Sequence, residues 1–263
     1  MRTGPFVAVN PGELATRWEL GQVLAAMEPI FDDAGALLRP ELPPALLRGE
    51  NAGAVSAVCV VSELRDDAGK VGVTAIDKRP VDGPWKVGKY GLYRDVQTDR
   101  ANHGGLDRAV YALSQAEVEA WQVILGRAVP RGSFGENLRV DGPLDDLEIG
   151  AVVRIGGVEL EATGPRNPCA TFARWAGRDT MVKDFKFRGR GGVMFRVVKP
   201  GKLEAGDRLE IVSTPGHGVS VARWFTYEAP EDARVLLAAQ EAGKVRIADA
   251  VMKYVSPAAA RTL

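Results

Sequence analysis

Two cysteines and two histidines are all the chain carries in 263 residues. With Cys59 and Cys169 so far apart, a disulfide framework of the kind that staples small secreted domains is excluded. Closed zinc sites need four Cys or His ligands at short spacings, and that supply is missing. Charge of one sign is missing too, since Lys+Arg 34 meets Asp+Glu 34 for a formal net charge of +0. A nucleic acid polymer is therefore not expected as partner, because binding a phosphate backbone draws on a cationic excess. No apolar run approaches the ~20 residues of a membrane span. The opening Met1-Arg2-Thr3-Gly4-Pro5-Phe6-Val7 has no apolar segment ahead of a cleavage site. The expected setting is a reducing cytoplasm without membrane association. Phosphate loops, dinucleotide fingerprints in a strand–helix context, repeats and low-complexity tails are absent as well.

Hydrophobic residues make up 46% of the chain, enough for a substantial core, and three regions divide it. Residues 1–52 read as a helical N-terminal extension. Asn10 suits the N-cap, Pro11 the first turn and Glu13 a capping acid, and Leu14, Trp18, Val23, Leu24 and Met27 follow at mostly helical spacing. Pro29 and the proline-rich 39–44 end it. Residues 53–215 read as mainly β, with strands expected over 55–64, 158–162, 193–198 and 208–212. One helix is expected there, opened by the capping box Ser114-Gln115-Ala116-Glu117, with Val118, Trp121 and Leu125 on its apolar face and Gly126 past its end. Many short strands and few helices favour a barrel or sandwich. Residues 216–263, beyond the hinge-like Thr214-Pro215-Gly216-His217-Gly218, read as helical over 230–243 and 247–255.

The most informative string is Gly-Pro-Arg-Asn-Pro-Cys-Ala-Thr-Phe over 164–172. Pro165 and Pro168 stiffen the backbone and keep Cys169 out of regular structure. Arg166 nearby favours the thiolate, which attacks electrophiles and binds soft metals. Free cysteines are also commonly buried and inert, so both readings of Cys169 stand open. Cys59, inside Val58-Cys59-Val60-Val61, reads as a buried strand position. His103-Gly104-Gly105 with Asp107 suits either close backbone approach to a ligand, with the acid orienting the ring, or a tight turn. Phe134-Gly135-Glu136-Asn137 supplies polar contacts for a heterocycle or a satisfied network under a loop. Arg166, Arg174, Arg178, Lys183, Lys186, Arg188 and Arg190 face only Asp179 and Asp184 over 166–190. Such a local excess suits an anion such as phosphate, or a solvated face; Lys78 and Arg79 extend the same basic character. A Cys–His hydrolase using Cys169 and His103 is arithmetically open, although no spacing favours it.

In order along the chain, Lys78-Arg79-Pro80-Val81, Gly91-Leu92 with Asp95, His103-Gly104-Gly105 with Asp107-Arg108-Ala109, Phe134-Gly135-Glu136-Asn137-Leu138, Pro165-Arg166-Asn167-Pro168-Cys169, and Arg196-Val197-Val198 leading to Gly206-Asp207 resemble the MOSC family, named for the C-terminal domain of molybdenum cofactor sulfurases. The matches span residues 54–212, about three-fifths of the chain. The tail from His217 resembles the three-helix appendage of the bacterial branch associated with resistance to hydroxylaminopurine. Arg94-Asp95 departs from the Gly-Asp often found in the family, and the extension to residue 52 is not part of its core.

The resemblance implies a MOSC-type β-barrel holding a molybdenum–pterin cofactor, with Cys169 as metal ligand or sulfur carrier. It places Lys78, Arg79, Asp95, His103, Gly104, Gly105, Asp107, Phe134, Glu136, Asn137, Arg166 and Arg196 around that cofactor. The implied activity is reduction of N-hydroxylated bases or related N-oxygenated compounds, N–OH going to N–H with release of water. No flavin, haem or iron–sulfur motif is visible, so a separate electron-donor protein is expected. The extension could cover the site, bind that donor or make a homodimer contact. A pyridoxal-dependent desulfurase domain is not expected in the 50 residues ahead of the core. The alternatives are a sulfur-carrying or cofactor-carrying protein without turnover, and a non-catalytic binding module whose cysteine is merely packed.

Overall fold

Alternation of apolar and polar side chains builds seven strands whose inward residues fill one interior. In the computed structural model these are β1 (Asn51–Val61), β2 (Val110–Ser114), β3 (Leu138–Asp141), β4 (Val152–Ile155), β5 (Val158–Pro165), β6 (Val193–Lys199) and β7 (Arg208–Ser213). They close as a barrel in the order β3-β2-β6-β5-β4-β7-β1, with β1 pairing back onto β3. The structure describes residues 42–99 and 104–262, together with the backbone of two short paired strands, Ile30–Phe31 and Leu37–Leu38. The helix expected after Asn10 lies outside the described residues, as does His103.

Val153 and Ile155 of β4, Val158 and Leu160 of β5, Phe195 of β6 and Leu209 of β7 point into the barrel and are buried. Each such side chain contributes about 1.5–3 kcal/mol on leaving water. Neighbours are antiparallel except β2 and β3. A parallel pair needs a crossover, and helix α1 (Gln115–Leu125) supplies it. Its end matches expectation, with Gly126 in the left-handed conformation. Its start does not form a capping box. The Ser114 hydroxyl donates to the Gly142 carbonyl at 3.0 Å, and Glu117 accepts from Arg188 at 2.8 Å.

Two short helices that the sequence did not announce follow β5: α2 (Ala170–Ala176) and α3 (Met181–Arg188). They pack with α1 in a second core outside the barrel, where Trp121, Phe134, Phe172 and Phe185 meet as ring pairs. The basic residues of these helices and of the turn after them mostly face acids from elsewhere in the chain. Arg174 pairs with Asp67, Lys186 with Glu228, Arg188 with Glu117 and Arg190 with Asp146. The charge excess over 166–190 is thus largely a set of structural pairs rather than one anion-binding face.

Helices α4 (Val221–Tyr227), α5 (Pro230–Glu241) and α6 (Asp249–Ala259) complete the chain. Trp224, Leu236, Val251 and Val255 share the barrel's apolar core. Gly164 admits α6: its φ is 145°, and a Cβ there would come within 2.6 Å of Val251. The 214–218 stretch is stapled, not a free hinge, because buried Glu148 accepts from Gly216 N at 2.9 Å and from Gly218 N, and the His217 ring meets the Ile149 carbonyl at 2.8 Å. Among the described residues no helix is long and apolar enough to cross a membrane.

Candidate functional site

A cavity of about 400 Å³ lies between the barrel wall and the second core, within the size range of small-ligand sites. Cys169 lines it from the residue just before α2, in extended backbone (φ −135°, ψ 170°), and is partly exposed. The stiff 165–168 segment delivers it there, so the thiol stands outside regular structure as the prolines require.

Arg166 lines the same cavity but is 7% exposed. Its guanidinium lies 3.9 Å above the Phe172 ring, with Phe185 and Tyr111 rings at 5.3 and 5.5 Å. Nη1 is buried without a hydrogen-bond partner, and no described acidic side chain pairs with the group. Burying a cation this way is costly unless something anionic joins it. Arg174 stands beside Cys169. Its guanidinium is held above its usual range first by hydrogen bonding to Asp67 and, in smaller part, by the field of Cys169. Asp67 is drawn down to about 2, chiefly by Arg174, with Thr171 and the Gly69 N–H adding.

The floor is a fixed polar network. Strand Lys78–Val81 pairs with the end of β1, which brings Lys78 Nζ to 2.7 Å from Asp95 Oδ2. Asn137 Nδ2 donates to the same carboxylate at 2.8 Å, and Asp95 Oδ1 accepts from Val61 N at 2.9 Å. Asn137 Oδ1 in turn accepts from Tyr111 N at 3.1 Å. Lys78, Asp95, Phe134, Asn137, Arg166 and Cys169 are therefore brought together around one space.

The other expected residues sit elsewhere. Arg79 turns to the opposite face of its strand and pairs with Asp77 at 3.0 Å. Glu136 is fully buried and shapes its own turn, accepting from Gly132 N at 2.8 Å, Phe134 N at 2.9 Å and Arg139 Nε at 3.0 Å. Asp107 and Arg196 tie the appendage to the barrel. Asp107 pairs with Arg246, and Arg196 donates to the Arg246 carbonyl at 2.8 Å. Gly104 and Gly105 approach a side chain of the protein: a Cβ on Gly104 would meet Gln97 Oε1 at 2.6 Å, and Gly105 N donates to that oxygen at 2.8 Å. Gln97, Tyr111 and Asp67 line the cavity without having been singled out as site residues, and Arg174, expected as one member of the 166–190 basic stretch, joins them. The Tyr111 hydroxyl donates to the Gly191 carbonyl at 2.9 Å, and burial pushes it above the usual phenol range.

Chemically, the donor set suits an anionic ligand and a soft metal centre that brings its own ligands. No group of three or more His, Cys, Asp or Glu among the described residues is placed to hold a bare metal ion. Among the described residues, Cys169 is the one that would contribute a soft ligand from the cavity wall, and orphaned Arg166 fits an anionic group attached to such a centre.

A family model of the MOSC domain matches residues 99–210. The chain is 34% identical over 154 residues to YflK of Bacillus subtilis strain 168, covering 58% of this chain and 70% of that protein. It is 29% identical over 150 residues to a protein of Gibberella moniliformis named a reductase, covering 54% of this chain and 26% of that protein. The crystal structure of YiiM from Geobacillus stearothermophilus has the same fold, with a TM-score of 0.63 at 24% identity over 79% of this chain and 99% of that one. On the barrel, the matched residues and these likenesses, the chain belongs to the MOSC domain family.

Proposed function

We propose that the chain holds a molybdenum–pterin cofactor in the Cys169 cavity and reduces N-hydroxylated bases or related N-oxygenated compounds. The observation that carries this reading is a partly exposed thiol and a buried, unpaired guanidinium lining one cavity. Family membership and the fungal relative named a reductase support the reaction class. When bound, the cofactor supplies the two-electron chemistry. Cys169, as thiolate, ligates its soft metal, and the nearby Arg174 charge helps keep that thiolate ionised. Arg166 neutralises the pterin phosphate, ending the isolation of its buried charge. Lys78, Asp95 and Asn137 hold the floor in one arrangement, and Phe134 closes the apolar side.

The overall change converts N–OH to N–H and water, taking up two electrons and two protons. The electrons come from a separate donor protein. Purified, molybdenum-loaded protein with a chemical reductant should convert a hydroxylaminopurine to the aminopurine, and Cys169→Ala should lower the rate at least ~100-fold, as expected for a lost metal ligand. Turnover retained by the variant, or driven in the parent by NADH alone, contradicts this reading.

A further inference from the structure

What holds the buried Arg166 cation at the wall of the Cys169 cavity lies behind it, in the Gly191–Gly192 turn between α3 and β6. Gly192 O accepts from Arg166 N at 3.3 Å, and Gly191 O accepts from the Tyr111 hydroxyl at 2.9 Å. The turn is pressed against its neighbours. A Cβ on Gly191 would lie 3.0 Å from the Arg166 carbonyl oxygen and 2.9 Å from Phe185 Cε1, and one on Gly192 (φ 74°) would lie 2.9 Å from Tyr111 Cε2. Tyr111 and Phe185 are two of the three rings that flank the guanidinium. One turn therefore sets both the backbone of Arg166 and two walls of its ring cage.

Asp145, which does not line the cavity, secures this turn: its Oδ1 accepts from Gly192 N at 2.8 Å. The residue sits in the short 3-10 turn Leu144–Asp146 and is 1% exposed. As a purely structural bond it is poorly supported. Oδ2 is buried without a partner, and Glu117 of α1 and its own neighbour Asp146 are further acids beside it. Arg190, the cation at hand, gives its hydrogen bond to Asp146 at 3.0 Å. Arg223 of α4, the helix packed on the same turn, is engaged by Asp232. An acid buried half-satisfied among acids is destabilising, and a backbone N–H can be satisfied by a neutral acceptor. Its place against the Arg166 turn gives that burial a purpose.

Resting on the reading that Arg166 meets the pterin phosphate, we infer that Asp145 is a positioning residue for the anion site. By holding Gly192 N it locks the 191–192 turn, and the turn locks Arg166 and its ring cage in the pose that receives an anion. Asp145 lines no part of the cavity, so its effect on binding runs through Arg166 alone. Coupling of this kind is reciprocal, and an anion on Arg166 tightens the turn in return.

Two quantities test this on the full chain purified from a host that makes the cofactor. One is the set of Arg166 side-chain resonances, displaced upfield by the Phe172 ring 3.9 Å away. The other is the rate at which molybdenum is lost on dialysis. Asp145→Ala should collapse the displacement and speed the loss at least ~10-fold, as for residues that support a metal site from behind. Asp145→Asn, which keeps an oxygen facing Gly192 N in a side chain of the same shape, should preserve both. Added to Arg166→Ala, Asp145→Ala should bring no further loss, since the two act as one unit. Should Asp145→Ala not fold, Asp145→Leu, apolar and without an acceptor, is read in its place. An Arg166 signal unmoved when the acceptor is gone, an Asn variant that behaves like Ala, or losses that multiply in the double variant would overturn the inference. A parent without molybdenum whose Arg166 signal still depends on Asp145 sinks the cofactor reading alone. A loaded parent whose Arg166 signal ignores Asp145 sinks the positioning role alone.

Discussion

Arg166 and Asp145 each bury a polar atom without a hydrogen-bond partner, and the two have opposite meanings. Arg166 lines the cavity, where an incoming anion can satisfy it. Asp145 is enclosed by protein: Oδ1 accepts from Gly192 N at 2.8 Å while Oδ2 has no partner. Burial pushes its carboxyl up to about 7, with Glu117 and Asp146 adding and Arg190 opposing. The folded chain thus keeps a proton that the unfolded chain releases near pH 4. Through this group, stability is full below about pH 4 and falls as pH rises towards 7. Asp145→Asn removes that loss, so its melting temperature relative to the parent should gain between pH 5 and pH 8. A difference that does not change with pH would show that the carboxyl is ionised throughout.

At the scale of elements, strands 158–162, 193–198 and 208–212 were legible because one face is apolar and the other wet. The observed strands contain them and run a few residues further. Helices α2 and α3 were not, because each is at most 8 residues and carries a scattered basic pattern. The acids that balance them come from other elements, which no local pattern reveals. The same distance hid the flap over the cavity, the hairpin of strands Arg65–Asp66 and Val73–Thr74. One carboxylate latches it to α2: Asp67 accepts from Arg174 Nε at 2.9 Å and from the Thr171 hydroxyl at 2.9 Å. Asp67→Asn should speed amide hydrogen exchange over residues 65–74 several-fold while exchange in β4 and β5 stays as it was, since opening is local. Unchanged exchange in the flap would mean that the latch carries no load.

Across the whole molecule, the barrel with its helical appendage was anticipated from short ordered strings, and the structure bears that architecture out. The same strings also named residues that share one cavity. Lys78, Asp95, Phe134, Asn137, Arg166 and Cys169 do converge on one cavity. Glu136, Asp107 and Arg196 instead hold the frame around it, because a buried carboxylate bonded to backbone N–H groups looks, in sequence, like one bonded to a ligand. In the function proposed above, a single thiol, set by two prolines on the cavity wall, would anchor a metal that no cluster of described His, Cys, Asp or Glu residues is placed to hold. Elemental analysis of parent and Cys169→Ala, both purified from a host that makes the cofactor, tests it most directly. The account predicts near-stoichiometric molybdenum in the parent and its loss in the variant, with both folded. Equal molybdenum in the two, or labile sulfur without molybdenum in the parent, would contradict it.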